Sequence, residues 1–395
     1  MTDVVIASAA RTALGGFQGT LSALDAPALG AKAIAAALAR AQVKPEDIEE
    51  VAMGCVLPAG LGQAPARQAA LQAGLPAATP CATINKVCGS GMKTVMLAAD
   101  AILSGRSNLV VAGGMESMSN APYLLPKARG GMRLGHGEVK DHMFLDGLED
   151  AYSPETRGRL MGAFAEDTAR HYQFPRVLQD AYAIESLDRA QAAQRSGALE
   201  REIVPVTIKS RAGETAVRED EQPLTAKKEK IPQLKPAFAA DGTVTAANSS
   251  SISDGAAALV VMSAAEAKRR GTKPLARIIA QASYAGEPRW FTTAPIFAIQ
   301  KLLTSAGWNL KDIDLFEINE AFAVVAMAAM RDLSIPRDRL NVNGGACALG
   351  HPIGASGARI LVTLLHAMEA RNAKKGVAAI CIGGGEATAL AIERA

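Results

Sequence analysis

The octapeptide N-K-V-C-G-S-G-M, residues 85–92, places a cysteine among small residues where an extended run turns into a helix. The apolar periodicity after it predicts a helix over Ser90–Leu103. If Cys88 lies at the start of that helix, unpaired backbone N–H groups and the helix dipole favour the thiolate, which is the nucleophilic form. Alternatively, Gly-Ser-Gly is only a tight turn and Cys88 packs as a small apolar residue. The octapeptide alone leaves both interpretations open.

Strands and helices alternate on both sides of this octapeptide. A helix is predicted to start near Asp25, with Pro27 in its first turn, and others cover residues 65–73 and 90–103. Such alternation predicts an α/β fold with a largely parallel sheet. The predicted strands of this first run are 4–7, 51–56, 83–84 and 109–112.

The alternation breaks between residues 119 and 248 and then resumes. This middle part is charged and punctuated by Gly and Pro, with a polar helix predicted near residues 179–196, and it is interpreted as an insertion over the core. The second run predicts strands at 256–262, 275–285, 315–318 and 377–382, and helices at 264–270, 296–306, 321–333 and 355–370.

An internal repeat relates the two runs. S-G-M-K at residues 90–93 begins a helix that leads to L-V-V-A-G-G at 109–114, and S-G-A-R at 356–359 begins one that leads to A-I-C-I-G-G at 379–384. Chance similarity of Ala- and Gly-rich helices is the alternative. The repeat predicts two similar βαβ-type halves whose equivalent turns face each other, which would bring Cys88 and His351 together. The predicted division is 1–118 with 249–272 as the N-terminal half, 119–248 as an inserted loop domain, and 273–395 as the C-terminal half.

Composition limits the function classes. The 395 residues include 36 glycines and only 4% aromatics, so we expect helices packed closely on sheets. The net charge of +3 is too small an excess to indicate nucleic-acid binding, and no apolar run is long enough to span a membrane. Neither a membrane nor a nucleic acid is therefore an expected partner.

The cysteines indicate free thiols. The sequence has five cysteines, an odd number with no C-x-x-C spacing, so it predicts neither a disulfide framework nor a metal site. Free thiols imply a reducing compartment. Residues 1–10 lack the pattern of a signal peptide and the chain ends in no peroxisomal address, so we expect a cytoplasmic protein.

Three other residues are candidates for chemistry. His351 lies in a loop of small residues and is followed by Pro352, which restricts its backbone to extended conformations and lets the ring be aimed. Cys381 ends an apolar strand before three glycines, where ligands meet open α/β sheets, although a buried core thiol is the alternative. Asn319 follows a strand and opens a helix, where it is either functional or simply the N-cap. His366 is interpreted as a packed or surface residue.

Four motifs in order resemble the signature blocks of the thiolases. They are the octapeptide's N-K-V-C-G-S-G, then N-E-A-F-A at 319–323, G-H-P-I-G at 350–354 and C-I-G-G-G at 381–385. The similarity extends over nearly the whole chain, from V-I-A-S-A-A-R-T at 5–12 to the last strand, and is nearest to the acetyl-CoA acetyltransferase branch. It implies the thiolase fold, with the two halves in a layered αβαβα arrangement.

The resemblance implies ping-pong Claisen chemistry on CoA thioesters. Cys88 would become S-acylated; His351 would activate it and, with a water held by Asn319, stabilise the enolate of a second acetyl-CoA. Cys381 would remove the α-proton, and the backbone N–H groups of Cys88 and Gly383 would form an oxyanion site. Two acetyl-CoA would give acetoacetyl-CoA and CoA, or the reverse, with no cofactor and no metal.

The resemblance also implies a binding pocket and an assembly. A basic cluster, Lys227, Lys228, Lys230 and Lys235, either lies near the CoA phosphates or is a solvated surface. Residues 124–137 resemble a tetramerising loop, so a homo-oligomer, dimer or tetramer, is expected. The residues implied to line the pantetheine and acyl pocket are Leu148, Met161, Phe238, Ala246, Ser250 and Phe322.

Several positions depart from the short-chain pattern. Pro223 stands where relatives often carry an arginine beside the adenine, Leu160 where they often have histidine, Phe291 where they often have methionine, and Glu386 where glutamine or methionine is usual. These departures leave open a 3-ketoacyl-CoA thiolase of broader chain length. A decarboxylating ketoacyl synthase is disfavoured by the second thiol at Cys381. A non-catalytic acyl-CoA-binding protein is disfavoured by the retention of Cys88, His351 and Cys381.

Overall fold

A mixed β-sheet runs through the computed structural model, which describes residues 3–210 and 213–394. The sequence correctly predicts eight of the strands, because apolar runs bounded by glycine and polar residues mark buried strands. The strands are β1 (Val4–Thr12), β2 (Gly15–Gly16), β3 (Glu50–Gly54), β4 (Cys81–Ile84), β5 (Leu109–Ser117), β6 (Tyr123–Leu124), β7 (Lys140–Asp141), β8 (Ile203–Val204), β9 (Val206–Ser210), β10 (Gly213–Val217), β11 (Ser253–Ser263), β12 (Ala276–Ala285), β13 (Leu315–Ile318), β14 (Lys375–Ile382) and β15 (Glu386–Glu393).

Where the sequence predicts a helix, the observed helix lies close to the predicted residues, and helices at residues 161–171, 221–225 and 346–349 were not predicted. Asp25 caps the first helix by accepting a hydrogen bond from the N–H of Ala28 at 2.8 Å, and Pro27 lies in its first turn. The helices are α1 (Ala26–Ala41), α2 (Pro65–Gln72), α3 (Ser90–Leu103), α4 (Met161–His171), α5 (Arg176–Arg195), α6 (Glu221–Thr225), α7 (Ala264–Arg270), α8 (Ala294–Ala306), α9 (Ala323–Leu333), α10 (Ala346–Leu349) and α11 (Ile353–Ala370). None of the helices in the described ranges is both long and apolar enough to cross a bilayer.

The sheet is not largely parallel, so that prediction is wrong. The strand order is β13-β14-β15-β12-β1-β11-β5-β3-β4, with parallel pairs at the two ends and antiparallel pairs throughout the middle. The prediction assumed that strands are joined by helices, and such connections make neighbouring strands parallel. Strand β15 was not predicted at all. It returns antiparallel to β14 through the tight turn at residues 383–385, which the sequence analysis took as the end of the last element.

The elements stack in five layers, as the resemblance implies. Helices α1 and α2 cover the outer face of β1, β3, β5 and β11, and helices α8 and α9 cover the outer face of β12 to β15. Between the two half-sheets lie α3 and α11, which contact each other and strands of both halves. The predicted αβαβα arrangement of two similar halves is therefore confirmed. The exact division points stay a prediction.

The starts of α3 and α11 approach closely enough that glycine is required at both. A Cβ on Gly91 would lie 2.8 Å from the backbone N of Ala358, and a Cβ on Gly357 would lie 2.4 Å from the backbone N of Met92. Real Cβ atoms do not approach backbone so closely. These glycines occupy equivalent positions of the internal repeat, so the predicted facing of the two turns is confirmed.

The inserted segment is fastened to the core by a buried ion cluster. Arg11 on β1 donates to Glu202 from Nε at 2.6 Å and to both carboxylate oxygens of Asp220 from its terminal nitrogens, at 2.6 and 2.8 Å. All three side chains are fully buried. Because a buried charge is costly unless it is paired, this cluster fixes the insertion to the end of β1.

Candidate active site

Cys88 is presented by a strained turn between β4 and α3. Val87 has φ of +47°, which is unfavourable for a β-branched residue. The Oγ of Ser90 holds the turn closed, because it accepts from the N–H of Lys86 at 2.8 Å and donates to the carbonyl of Val87 at 2.6 Å. Asn85 accepts from the N–H of Val87 at 2.9 Å. The turn packs Cys88 against an apolar cluster that includes Ile353, the first residue of α11.

Cys88 is a thiol in this site. Burial raises the pKa of its thiol to about 11, although the backbone N–H groups of Gly383 and of Cys88 itself act in the opposite direction. The expectation that a helix terminus would favour the thiolate is therefore wrong here. The helix begins only at Ser90, and the effect of burial on the thiol pKa outweighs that of the two backbone N–H groups. Cys88 needs a base to become nucleophilic.

His351 supplies a base in a defined tautomer. Its Nδ1 lies 2.5 Å from the Oγ of Ser356, which also lies 2.9 Å from the carbonyl of Pro352. A hydroxyl has one proton, and the Pro352 carbonyl can only accept, so Ser356 donates to Pro352 and accepts from Nδ1–H of His351. The Nε2 of His351 then carries the lone pair, and it is buried without a hydrogen-bond partner among the described residues. Burial and the charge of Arg359 lower the pKa of His351 to about 3, so the ring is neutral.

Gly383 lies in the turn between β14 and β15 and faces Cys88. Its N–H and that of Cys88 both act on the Cys88 sulfur. Gly384 and Gly385 have φ of +94° and +85°, a conformation that glycine adopts at little cost. Two backbone donors at one sulfur form a suitable site for an oxyanion on an acyl group attached there.

Cys381 lies at the end of β14, fully buried. Burial raises the pKa of its thiol well above the ordinary value, and a charge on Cys88 raises it further, which shows that the two sulfur atoms are within electrostatic range. Cys381 also packs in the core beneath α9, as the core-thiol alternative expects. The structure therefore places Cys381 in the core beside the site, within electrostatic range of Cys88. It is not among the residues that line the cavity around Cys88.

Asn319 follows β13 and is completely buried. It is not the N-cap of α9, because that helix starts at Ala323 with Phe322 in the cap position, and the N–H of Ala323 bonds to the carbonyl of Asn248. The Oδ1 of Asn319 accepts from Arg359 at 3.3 Å. Its Nδ2 is buried with no partner among the described residues.

A mostly apolar cavity of about 340 Å³ opens above these groups. Cys88, His351 and Gly383 line it. Two ring pairs make one wall: Phe238 and Phe291 each meet Phe322 edge to face, with centroids 6.0 and 6.4 Å apart. All six residues predicted to bind substrate line this cavity, namely Leu148, Met161, Phe238, Ala246, Ser250 and Phe322. Sequence reasoning missed other lining residues, of which Ala321 and Ile353 stand in quoted motifs; the rest include Phe144, Ser249, Ser251 and Ile252.

A groove of about 440 Å³ adjoins the cavity, and Ala246 and Ser251 line both. Lys227 and Lys230 line the groove, so the structure brings two of the four basic residues to it. Lys228 instead bonds to Asp188 at 2.9 Å. Two cations beside an apolar channel suit a ligand that carries phosphates at one end and an acyl chain at the other.

Glu116 is a further residue of the site that the sequence analysis missed. This buried side chain on β5 accepts from the N–H groups of Val56, Leu57 and Gly354 at 2.9, 3.2 and 2.8 Å. Burial raises its pKa to about 7, against the effect of these donors. The bond to Gly354 fixes the loop that carries His351. A carboxylate in an otherwise apolar strand was the available signal.

Comparison with known proteins supports one interpretation of this geometry. Family models described as "Thiolase, N-terminal domain" and "Thiolase, C-terminal domain" match residues 4–265 and 272–394. The acetyl-CoA acetyltransferase of Cupriavidus necator is 54% identical over 398 residues, covering 100% of both chains. The acetyl-CoA acetyltransferase of Schizosaccharomyces pombe is 49% identical over 100% of this chain and 99% of its own. Acetyl-CoA acetyltransferase 2 of Arabidopsis thaliana is 52% identical over 99% of this chain and 97% of its own.

Proposed function

This chain belongs to the thiolase family, and on that premise we propose that it is an acetyl-CoA C-acetyltransferase. It condenses two acetyl-CoA to acetoacetyl-CoA and CoA, and in reverse it cleaves short 3-ketoacyl-CoA with CoA. The observation that carries the proposal is the neutral pair of Cys88 thiol and His351 imidazole in one cavity, with the Gly383 N–H directed at the sulfur.

The first half-reaction acylates Cys88. The Nε2 of His351 takes the thiol proton, the sulfur attacks the thioester carbonyl, and the N–H groups of Cys88 and Gly383 hold the oxyanion. Collapse of the tetrahedral intermediate breaks the bond to the CoA sulfur. The departing CoA thiolate takes the proton of Cys381, which leaves S-acetyl Cys88, a protonated His351 and a Cys381 thiolate.

The second half-reaction forms the carbon–carbon bond. The Cys381 thiolate removes an α-proton of the second acetyl-CoA. Because the pKa of the Cys381 thiol is raised, its thiolate is a stronger base than that of an ordinary cysteine. His351 and a water bound at Nδ2 of Asn319 stabilise the enolate oxygen. The carbanion attacks the acetyl carbonyl, and Cys88 leaves as a thiolate that recovers its proton from His351. All groups return to their starting protonation states, so no cofactor or metal is needed.

Binding of the CoA part is assigned to the groove beside the cavity. Lys227 and Lys230 are placed to meet phosphates, and the pantetheine arm would pass Ala246 and Ser251 into the cavity. Neither nucleic acid nor membrane enters this scheme. Free cysteines throughout the chain support a reducing, cytoplasmic location.

We also propose that the chain forms a homo-oligomer, a dimer or a tetramer. Residues 123–139 expose apolar side chains that a monomer would leave in water, with Leu134 98% exposed and Tyr123 70% exposed. Light scattering at working concentration tests this, and a monomer mass would contradict it.

The test of the proposed function follows the 3-keto thioester. Purified protein is mixed with acetoacetyl-CoA and CoA, and the expected result is two acetyl-CoA formed for each acetoacetyl-CoA lost. A folded protein that leaves acetoacetyl-CoA unchanged would contradict the proposal.

A further inference from the structure

One fully buried cation beside the site has no role in the scheme above. Arg359 lies on α11, two turns after His351, and is 1% exposed. Its Nη1 bonds to Oε1 of Glu317 at 3.1 Å, and Glu317 is itself 2% exposed. Burial raises the pKa of Glu317 to about 8, although Arg359 opposes that rise. A guanidinium this deep is retained only where its donors are used.

Its second contact is with a residue of the site. Nη2 of Arg359 donates to Oδ1 of Asn319 at 3.3 Å. A guanidinium has donors and no acceptor, so the oxygen of the Asn319 amide must face it. The reversed amide would set two buried donors against each other. The contact therefore leaves Nδ2 of Asn319 pointing the opposite way.

Nδ2 of Asn319 and Nε2 of His351 are both buried and both lack a partner among the described residues. The charge of Arg359 also reaches His351, which places the guanidinium close to both. We propose that Arg359, held by Glu317, is the positioning residue that fixes the Asn319 amide with its donor toward the enolate oxygen.

Arg11 is the other fully buried arginine among the described residues, and its donors are used differently. Nε and both terminal nitrogens of Arg11 are bonded to carboxylates. Arg359 donates from one terminal nitrogen to the neutral amide of Asn319, and its Nε has no partner among the described residues. An arginine kept only to fasten elements together would bond as Arg11 does.

The inference rests on the proposed function, so its test separates the two half-reactions. Exchange of labelled CoA into acetyl-CoA reports acylation of Cys88 alone. Incorporation of deuterium from heavy water into the acetyl methyl group reports enolate formation. The paired variant Glu317→Gln with Arg359→Gln removes both buried charges, so that neither is left without its partner. The new amide at position 359 can either donate or accept, so it no longer fixes the orientation of the Asn319 amide.

We expect the pair to lower deuterium incorporation by at least about tenfold, because a donor to the developing oxyanion is lost, while CoA exchange stays within about threefold. In an Asn319→Ala background the same pair should change deuterium incorporation less than about twofold, because the amide it orients is absent. Equal loss in both half-reactions, or the same loss in both backgrounds, would overturn the proposal.

Two further variants keep the test decisive. Arg359→Lys retains a buried cation that only donates. Its loss of deuterium incorporation should therefore be less than about a fifth of the loss in the paired variant. If the pair does not fold, Arg359→Lys decides alone, and equal falls in exchange and incorporation would overturn the proposal. Arg270→Gln, which removes a paired arginine far from the cavity, should leave the ratio of the two rates unchanged. Absence of both rates in the natural chain would instead refute the proposed function.

Discussion

The Nδ1 of His351 donates to the Oγ of Ser356 across 2.5 Å, and the Ser356 hydroxyl in turn donates a hydrogen bond to the carbonyl of Pro352. This chain of two bonds leaves Nε2 as the only basic nitrogen of the ring. The ring is buried and neutral, so its ability to act as a base depends on its orientation as much as on its pKa.

Ser356→Ala should therefore weaken catalysis more than it weakens the fold. Without the Oγ, both ring tautomers become accessible, and we expect CoA exchange to fall by about 10- to 100-fold, as for loss of other general-base aid. The free energy of unfolding should fall by about 1–3 kcal/mol. The control is Ser8→Ala, which removes a buried bond to the carbonyl of Ala37 and should cost similar stability with kcat/KM unchanged. Equal catalytic loss in both variants would contradict the tautomer argument.

Alkylation of Cys88 should report a thiol and not a preformed ion pair. The pKa of its thiol is raised to about 11, so the thiolate fraction grows about tenfold for each pH unit between pH 7 and 9. The rate of inactivation by iodoacetamide should rise with the same slope. Peptide mass spectrometry assigns the label to Cys88. A rate that is constant over pH 6–8 would mean that Cys88 is already a thiolate there.

Substitutions of Cys88 and Cys381 should impair different half-reactions. Cys88→Ala is expected to take up no acetyl label from labelled acetyl-CoA, because the acylated atom is gone. Cys381→Ala should still accept some label but form no acetoacetyl-CoA, because only the α-proton base is missing. Cys81→Ala, a partly exposed thiol on β4, serves as the control and should keep both steps. Equal labelling of Cys88→Ala and the natural chain, located by mass spectrometry, would refute the nucleophile assignment.

The sequence predicted most of the site because the reacting groups lie at turns with strong local signals. Small residues and a cysteine mark the turn at 85–92, and glycines mark the turn at 383–385. The facing of the two turns followed from the repeat, since equivalent glycines sit at the contact of α3 and α11. Binding residues of the cavity came only from the family resemblance.

The wrong or missing predictions share one cause. They depend on burial and on pairing between residues that are far apart in the sequence. The raised pKa of Cys88 depends on loss of water, which no local pattern records. Glu116 and Arg359 stood in apolar elements, and their partners are far away in the chain. The antiparallel centre of the sheet likewise depends on where β11 and β15 insert, which periodicity does not encode.

An ion pair joins the turn that presents Cys88 to the strand after Gly383. Lys86 bonds to Glu386, and the two side chains are 24% and 36% exposed. At such exposure we expect a coupling below about 1 kcal/mol in a double-mutant cycle of Lys86→Met and Glu386→Gln. Thiolysis should change less than about threefold and the coupling should shrink at high salt. A coupling well above this value would mean that the pair fixes the oxyanion turn.

Phe291 should limit the length of the acyl chain. It lines the cavity, is 2% exposed and packs edge to face on Phe322 and Phe164 at 6.4 Å each. Phe291→Leu removes ring volume from that wall, and two extra methylenes of substrate could then be buried at about 0.8 kcal/mol each. We expect the ratio of kcat/KM for the six-carbon over the four-carbon 3-ketoacyl-CoA to rise by about tenfold. Phe297→Leu, at an exposed ring outside the cavity, is the control and should leave the ratio unchanged. An unchanged ratio in folded Phe291→Leu would place the length limit at another wall.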